Sequence, residues 1–550
     1  MTQLRHAGKA IADSLALHGV DRAYVVPGES YLALLDGLYD VPSIDVVVTR
    51  HEAAAAYMAD AHGKFTGKPG VAMVTRGPGA AQAFTGIHTA WQDGVPLVLF
   101  VGLIPIADRG RESFQEFDPH AWFGTQCKRV LVLDEPERAS EIVAEAFFAA
   151  QEGRPGPVVV GLPEDVIKLP FTGALHPVIP VAEGGVSAAD LAQIETALAG
   201  AEKPLLFIGG QRWDERACAQ ITAFAETNQI PVLHDWRAAD RVPFHSPSHA
   251  GYLGYGRSDG AVAMFEAADV VVSIGAVPTD VATEGFRARQ SWQQVNYLVN
   301  IDTSLRGRSG AVTQHVLASP KAFAQAISNV RLAPSAARAA WCAQGHQIQQ
   351  ADARLPAANA LPETAAGTAH MSAVLAEVLT RLPKDAVYSF GAGNHCLWAQ
   401  RYLPTNVFPS QLSTRNGAMG YALPAGIVAA LAAPKRQAVV VTGDGEFMMN
   451  DAELSTAVRY GAPVLIILMD NQQYGTIRDH QEQHFPDRVS GTQLHNPDFA
   501  ALIKAHGGFG VKIDSDDQIE EAVRLAFDAI EKEGKPALLH VRTDQRLSVP

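Results

Sequence analysis

Small polar residues follow two apolar runs in the last third of the sequence. Gly-Asp-Gly at 443–445 follows the first run, and Asp-Asn at 470–471 follows the second. Glycine lets a backbone come close to a bulky anion, while Asp444 supplies carboxylate oxygens and Asn471 supplies an amide oxygen. Mg²⁺ prefers oxygen ligands and commonly completes its coordination with phosphate oxygens. The two motifs therefore predict a site for magnesium and a diphosphate group.

These motifs need a scaffold that brings them together. The preceding runs, 438–441 and 464–469, have the length and composition of buried strands, and open parallel sheets bind ligands at the carboxyl ends of their strands. A helix expected near 447–460 would point N–H groups and the positive end of its dipole at the phosphate. Taken alone, Gly-Asp-Gly also suits a plain strand-to-helix turn. The Asp-Asn pair on the next strand favours the binding site.

The pattern along the whole chain predicts an α/β fold. Short apolar, β-rich runs alternate with alanine-rich helical stretches, which is typical of parallel sheets covered by helices on both faces. Two connecting stretches interrupt this alternation. Residues 169–187 are rich in Pro and Gly and show no clear periodicity, and residues 332–368 are rich in Ala, Pro and Gln. They divide the chain into three predicted domains, 1–180, 188–335 and 366–550.

Composition excludes several classes of protein. The chain has 550 residues, 47% of them hydrophobic and 19% charged, with a net charge of −14. Such an acidic balance without a basic cluster argues against nucleic-acid binding. No apolar run reaches the roughly 18 residues of a membrane span, and the first residues do not read as a signal peptide. The four scattered cysteines fit no zinc motif. We expect a soluble cytoplasmic protein that acts on a small molecule.

The Gly-Asp-Gly and Asp-Asn spacing resembles the motif of thiamine diphosphate-dependent enzymes. The resemblance implies that thiamine diphosphate is bound and that Asp444, Asn471 and the backbone carbonyl of Gln473 hold Mg²⁺. It also implies three α/β domains, termed pyrimidine-binding, central and diphosphate-binding. In this family the coenzyme lies between the first domain of one subunit and the third of another. A homodimer is therefore the minimal expected unit, and a homotetramer is the expected assembly.

A glutamate in the first domain agrees with this resemblance. Glu52 follows the apolar run 46–49 and opens an alanine-rich helix. In the family such a glutamate hydrogen-bonds N1′ of the aminopyrimidine ring and so promotes loss of the C2 proton. The alternative is a glutamate that only stabilises the helix dipole.

Further segments resemble the coenzyme loops of acetohydroxyacid synthase, also called acetolactate synthase. The segment 390–398 resembles its diphosphate loop, and 417–421 resembles the segment that holds thiamine bent around a methionine. The coenzyme-binding residues that follow are Glu52, Gly391, Asn394, His395, Gly417, Met419, Gly443, Asp444, Gly445, Glu446, Asn471, Tyr474, Gly475 and Thr476. Only the backbone N–H of Glu446 is expected to contribute. A packed histidine and a core methionine are the alternatives for His395 and Met419.

The resemblance implies a carbon–carbon lyase or carboligase of the acetolactate synthase-like group, with a 2-keto acid as donor. Gln115 matches a pocket residue of that group, together with Phe114 and Lys128. Glu29 stands where pyruvate decarboxylase has an acid/base aspartate, and His480 could shuttle protons. The predicted catalytic residues are therefore Glu52, Glu29, Gln115 and His480. The alternatives are a solvated carboxylate for Glu29 and a rim residue for His480.

The sequence also departs from that group. Arg76 stands beside a Gly-Pro-Gly turn where serine is usual, and the segment 276–281 lacks the arginine that would face a keto-acid carboxylate. The same segment leaves FAD binding open. Other functions remain open: 2-hydroxyacyl-CoA lyase or oxalyl-CoA decarboxylase, flavin-dependent pyruvate oxidase, and a catalytically silent thiamine-binding subunit. Retention of Glu52, Asp444 and Asn471 argues against a silent subunit.

Overall fold

Three parallel sheets form the framework of the molecule. The computed structural model describes residues 5–276, 279–289, 294–305 and 311–546, so Val277 and Pro278 of the segment 276–281 lie outside the described residues. Each sheet has six strands, and helices pack on its faces. The predicted α/β class and the three domains are confirmed. The exact boundaries remain predictions.

The first sheet lies in the N-terminal part of the chain, with the order β2-β1-β3-β4-β6-β5. Its strands are β1 Arg22–Val25, β2 Asp45–Val48, β3 Gly70–Val74, β4 Leu97–Leu103, β5 Arg129–Val132 and β6 Pro157–Pro163. Its helices are α1 Ala7–Leu17, α2 Leu32–Tyr39, α3 Glu52–Thr66, α4 Pro78–Asp93, α5 Pro119–Phe123 and α6 Ala139–Gln151. Every residue of β3, β4 and β6 is buried, which explains their unbroken apolar character.

The second sheet has a different order, β12-β11-β10-β7-β8-β9. Its strands are β7 Pro204–Ile208, β8 Val232–Asp235, β9 His249–Leu253, β10 Val270–Ile274, β11 Val295–Val299 and β12 Gln314–Val316. Its helices are α7 Ala188–Gly200, α8 Glu215–Asn228, α9 Asp259–Ala267, α10 Pro320–Ile327 and α11 Ala336–Asp352. Helix α11 lies inside the predicted connecting stretch 332–368 and packs on β9, because Trp341 is buried in the core of this sheet.

The third sheet has the order β14-β13-β15-β16-β18-β17. Its strands are β13 Val387–Phe390, β14 Gln411–Ser413, β15 Ala438–Gly443, β16 Leu465–Asp470, β17 Phe509–Ile513 and β18 Ala537–Arg542. Its helices are α12 Met371–Arg381, α13 His395–Tyr402, α14 Ala422–Ala432, α15 Asp444–Phe447, α16 Leu454–Arg459, α17 Gly475–His484, α18 Phe499–Ala505 and α19 Ile519–Glu533. The helix predicted at 447–460 is therefore wrong in detail: the helix starts at Asp444 and is interrupted before α16.

The first and third domains share a hydrophobic core within one chain. Helix α3 packs against α14, and buried residues of both domains form one cluster. The Tyr460 hydroxyl accepts from the backbone N of Val48 at 2.8 Å and donates to the carbonyl of Val46 at 3.1 Å. The strand that precedes Glu52 is thus held by the third domain. Within the described ranges, no helix has the length and apolarity that crossing a bilayer requires.

Candidate active site

A cavity of about 240 Å³ opens at the carboxyl edge of the third sheet. It is lined by Ala392, Gly393, Asn394, His395, Gly417, Met419, Gly443, Asp444, Gly445, Glu446, Met469, Asn471, Gln473, Tyr474, Gly475, Thr476 and Ile477. These include every predicted coenzyme-binding or metal-binding residue except Glu52 and Gly391. The structure therefore brings together, at one sheet edge, residues up to about 80 positions apart in the sequence.

Asp444 lies at one end of this cavity in a constrained setting. It is buried, and its two carboxylate oxygens accept from the backbone N of Gly445 at 2.9 Å and from Asn496 Nδ2 at 2.7 Å. Burial, reinforced by the nearby charge of Asp470, raises the pKa of Asp444 to about 6. A carboxylate held against like charge in a buried place is the kind of group that a cation stabilises.

Asp470, the first residue of the Asp-Asn pair, has its own partners. Its Oδ2 accepts from His540 Nε2 at 2.8 Å and from Arg542 Nη1 at 2.6 Å, and its Oδ1 accepts from Asn496 at 2.8 Å. Burial alone would raise the pKa of Asp470, but these donors outweigh burial and lower it. Asp470 therefore stays ionised and is not free to act as a proton donor.

Asn496 is a functional candidate that the sequence analysis missed. One amide nitrogen of Asn496 donates to both Asp444 and Asp470 and so fixes the orientation of the predicted metal ligand. The residue follows a histidine in an irregular segment, where no periodicity marks it. Its role depends on a contact across 52 sequence positions, which a single sequence does not reveal.

The other two predicted metal ligands are also in place. Asn471 Oδ1 accepts from the backbone N of Gln473 at 3.2 Å. The side chain of Gln473 is occupied by Arg478, whose Nη1 donates to Gln473 Oε1 at 2.8 Å. Because its side chain is engaged in this way, Gln473 could offer its backbone carbonyl to a ligand.

The starts of two helices also line this cavity. Helices α13 and α17 begin at His395 and Gly475. Asn394 is fixed between them, because its oxygen accepts from Thr476 Oγ1 at 2.7 Å and its nitrogen donates to Asp479 Oδ2 at 2.8 Å. Backbone N–H groups at such helix starts attract anions.

The side chain of Glu446 is engaged by His395. Its Oε2 lies 2.6 Å from His395 Nε2, in an ion pair whose angles are not those of a hydrogen bond. Burial alone would lower the pKa of His395, but the neighbouring Cys396 and Glu446 outweigh burial and raise it to about 10. A Cβ at Gly391 would lie 1.8 Å from Glu446 Oε1. Gly391 thus makes room for this pair and does not itself line the cavity.

Glu52 lies at the corresponding edge of the first sheet, at the start of α3. It is 9% exposed, and its carboxyl group makes no hydrogen bond to any residue that the structure describes. A Cβ at Gly79, in the turn 75–79, would lie 3.2 Å from its Oε1. Apolar neighbours and an unused carboxyl group suit a residue that exchanges protons with a ligand.

The remaining predicted catalytic residues occupy different places. Gln115 touches the same turn 75–79, since a Cβ at Gly77 would lie 2.8 Å from its carbonyl oxygen. Glu29 is exposed in a single-turn helix beside that turn, where Ser30 Oγ lies 2.9 Å from Thr75 Oγ1. His480 is exposed on α17 and does not line the cavity.

Two further pocket candidates also lie apart from the cavity. Phe114 is 76% exposed. Lys128 donates to the carbonyl of Glu152 and lines a separate, larger cavity. Within one chain, the candidate residues therefore form two main groups. One group lies beside the first sheet and the other lies at the third sheet.

Comparisons with known proteins agree with this geometry. Residues 5–122, 191–327 and 391–541 match models of the N-terminal TPP binding domain, the central domain and the C-terminal TPP binding domain of thiamine pyrophosphate enzymes. The chain belongs to the thiamine pyrophosphate enzyme family. Thiamine pyrophosphate is thiamine diphosphate, so the coenzyme prediction is confirmed at this level.

Full-length relatives place the chain in the acetolactate synthase-like group of this family. It is 31% identical to the acetolactate synthase isozyme 2 large subunit of Escherichia coli (strain K12) over 97% of this chain and 95% of that protein. It is 32% identical to the acetolactate synthase large subunit of Parasynechococcus marenigrum (strain WH8102) over 92% of this chain and 82% of that protein. The predicted class, a thiamine diphosphate-dependent enzyme for decarboxylation or carboligation, is confirmed. The roles of individual residues remain predictions.

Proposed function

We propose that this enzyme uses thiamine diphosphate and Mg²⁺ to cleave or form a carbon–carbon bond next to the carbonyl of a 2-keto acid. One observation carries the proposal. At the carboxyl edge of the third sheet, Asp444, Asn471 and Gln473 line one cavity together with the starts of α13 and α17, whose N–H groups attract anions. The Glu52 carboxyl group lies on a different sheet and is free of partners in the described part of the chain.

The chemistry of the donor set supports magnesium. Asp444 offers a carboxylate, Asn471 an amide oxygen and Gln473 a backbone carbonyl, which are hard oxygen ligands suited to Mg²⁺. No group of three His, Cys, Asp or Glu side chains that could hold a metal exists among the described residues. The protein ligands alone would leave the coordination incomplete, and diphosphate oxygens would complete it.

Thiamine diphosphate, when bound, supplies a carbon nucleophile for attack on the carbonyl group and accepts the electrons that decarboxylation releases. The chain has residues for each supporting task. Met419 and Ile477 contribute apolar surface to the cavity, and Thr476 holds Asn394, which would contact a bound diphosphate. Glu52 would serve as the general acid/base toward the pyrimidine ring of a bound coenzyme.

We further propose that the working unit contains at least two chains and is a homotetramer. A cavity of about 240 Å³ is below the usual range for small-molecule sites, and Glu52 does not line it. Ile477 lines the cavity, Phe485 follows the end of α17, and Phe114 precedes Gln115; these side chains are 53%, 64% and 76% exposed. Pairing with the first domain of a partner chain would cover these apolar side chains and bring a Glu52 to the cavity.

A second cavity supports the proposal that the central domain binds a ligand. It has a volume of about 690 Å³ and is lined by Trp91, Trp236, Lys128, Arg154 and residues that follow β11. It lies at the carboxyl edge of the second sheet, where ligands of such sheets bind. We propose FAD as a candidate, and a yellow colour with a flavin absorption spectrum in the purified protein would support it.

The four cysteines are free and buried. Free thiols suit the reducing cytoplasm, so we propose that the enzyme works there.

Two measurements on the wild-type protein test the proposed function. Exchange of the C2 proton of bound thiamine diphosphate for deuterium should be much faster than in the free coenzyme. A panel of 2-keto acids, beginning with pyruvate, should then show CO₂ release that depends on Mg²⁺. Fast exchange without CO₂ release from any keto acid would exclude the proposed substrate class and leave the coenzyme activation intact.

A further inference from the structure

Arg76 is a buried cation beside the turn 75–79. It is 8% exposed, and its guanidinium is held by two acceptors. Its Nη1 donates to Glu164 Oε2 at 2.6 Å, and its Nε donates to Gln115 Oε1 at 3.2 Å. Glu164 already balances the charge of Arg76. The second hydrogen bond therefore acts on the orientation of the neutral Gln115 amide.

The contact with Arg76 determines which end of that amide remains free. A guanidinium can only donate, so the amide oxygen of Gln115 must face Arg76. The amide nitrogen, Nε2, makes no hydrogen bond to any part of the chain that the structure describes. Gln115 lines a cavity of about 380 Å³ together with Leu103, Ile104 and Phe117. An N–H donor is thus the group that Gln115 has left for a ligand.

The backbone of Gln115 lies against the same turn as the proposed general acid/base. Gln115 has a φ of +63°, and its carbonyl oxygen would lie 2.8 Å from a Cβ on Gly77. Two residues further along the same turn, a Cβ on Gly79 would lie 3.2 Å from Glu52 Oε1. Gln115 and Glu52 therefore contact one short turn, which puts Gln115 in the same part of the first domain as Glu52.

We propose that Arg76 is a positioning residue that fixes Gln115 as an N–H donor, and that this donor recognises an oxygen of the 2-keto acid. The proposal rests on the function proposed above. It supplies a recognition group in a chain whose segment 276–281 lacks the arginine expected to face the carboxylate. A carboxylate or keto oxygen accepts from such a donor, whereas an acyl group without an oxygen in that place does not.

Four variants of the holoenzyme loaded with thiamine diphosphate and Mg²⁺ test the proposal. They are Arg76→Met, Arg76→Lys, Gln115→Leu and the double variant of Arg76→Met with Gln115→Leu. We expect Arg76→Met and Gln115→Leu each to lower kcat/KM for CO₂ release from the best keto acid about 100-fold, the cost of losing substrate orientation. The double variant should lose no more than Gln115→Leu alone, because Arg76 acts through Gln115. C2 proton exchange should be unchanged in all of them, because Glu52 is intact.

Controls separate this role from a structural one. Arg76→Lys keeps a charge for Glu164 but lacks the planar fork, so it should fold like the wild type and still lose activity. Arg138→Met removes an exposed arginine of the same domain, paired with Glu141 at 2.8 Å, and should leave activity unchanged. If the decrease in kcat/KM of the double variant equalled the product of the two single decreases, the proposal would be overturned.

A readout without substrate separates this proposal from the proposed function. In a neutron crystal structure of the Arg76→Met holoenzyme, which shows the amide hydrogens directly, the Gln115 amide should lose its single orientation. An amide that keeps the wild-type orientation would refute the positioning role, even if no keto acid proves to be a substrate.

Discussion

The first and third sheets have the same strand order, yet their carboxyl edges offer different chemistry. Counted within its own domain, each sheet runs 2-1-3-4-6-5. At the edge of the third sheet, Asp444 and Asp470 share the amide of Asn496, so the polar groups are fixed without a ligand. At the edge of the first sheet, Glu52 has no hydrogen-bond partner in the described part of the chain. In the proposed function, one edge serves binding and the other serves proton exchange.

This difference shows that strand order supplies only the place for a site. The side chains that follow each strand decide what the place does. In the first sheet the helix after β2 begins with Glu52, whereas in the third sheet the helix after β15 begins with Asp444. Both carboxylates occupy a helix start, but only Asp444 lies within reach of a second carboxylate, Asp470. The second charge makes a cation favourable there.

The largest effect should come from Glu52→Gln. The amide cannot exchange a proton, so we expect kcat and C2 proton exchange to fall about 1000-fold, the usual share of general acid/base catalysis. Thiamine diphosphate affinity, measured by calorimetry, should stay within a few-fold, because the third sheet does the binding. Glu137→Gln, in an exposed turn of the same domain, is the control. Loss of affinity without loss of exchange would reverse the roles of the two edges.

Asp444→Ala should have the complementary effect. Removing a carboxylate ligand should lower coenzyme affinity in the presence of Mg²⁺ by at least about 100-fold, the upper range seen when even indirect metal contacts are lost. The rise in Tm that coenzyme and Mg²⁺ produce should disappear. Asp517→Ala, an exposed aspartate of the same domain, should keep both. Calorimetry with unchanged, Mg²⁺-dependent affinity would remove Asp444 from the metal site.

Much of this contrast could be predicted from the sequence, because it depends on local patterns. Buried parallel strands are continuous apolar runs, and the residues that end them are read directly, as for Asp444, Asn471 and Glu52. Contacts between segments that are far apart in the sequence could not be predicted in this way. The Asn496 bridge and the Glu446–His395 pair join residues 52 and 51 positions apart. The sequence also could not show that the candidate residues form two groups. Domain packing decides which residues share a cavity.

Acid should weaken helix α3 and leave helix α13 unchanged. Burial lowers the pKa of His62, on the helix that Glu52 begins, to about 4 from 6.5. Its contribution to stability is therefore complete above pH 6.5 and is lost as the pH falls toward 4. His395 has its pKa raised to about 10, so its contribution is complete below 6.5 and is lost only as the pH rises toward 10.

Hydrogen exchange followed by mass spectrometry can compare the two regions. Between pH 6.5 and 5, α3 should lose about 2 kcal/mol of protection against opening, because uptake of one proton on opening changes the free energy by about 1.36 kcal/mol per pH unit. Helix α13, which His395 begins, should lose none. In His62→Gln the pH dependence of α3 should largely vanish. Equal losses in α3 and α13 would contradict the assignment of opposite signs.

The smallest effect on kcat should come from substituting Glu453, a residue of the third domain that contacts the backbone just before Glu52. It is fully buried, and its Oε1 accepts from the backbone N of Arg50 at 2.9 Å and of His51 at 3.2 Å, just before Glu52. Its Oε2 accepts from Thr456. In Glu453→Gln the amide oxygen can still accept from the two N–H groups, but without the charge that strengthens these bonds. We therefore expect kcat to fall only about 10-fold, corresponding to about 1.4 kcal/mol.

Thr456→Val is the matched control for this last change. It removes the other partner of Glu453 and leaves the backbone before Glu52 untouched, so kcat should stay near the wild-type value. Coenzyme affinity should be unchanged in both variants, because neither residue lines the cavity of the third sheet. If Glu453→Gln weakened coenzyme binding but not turnover, the third domain would not position Glu52 through this contact, and the two edges would be independent within one chain.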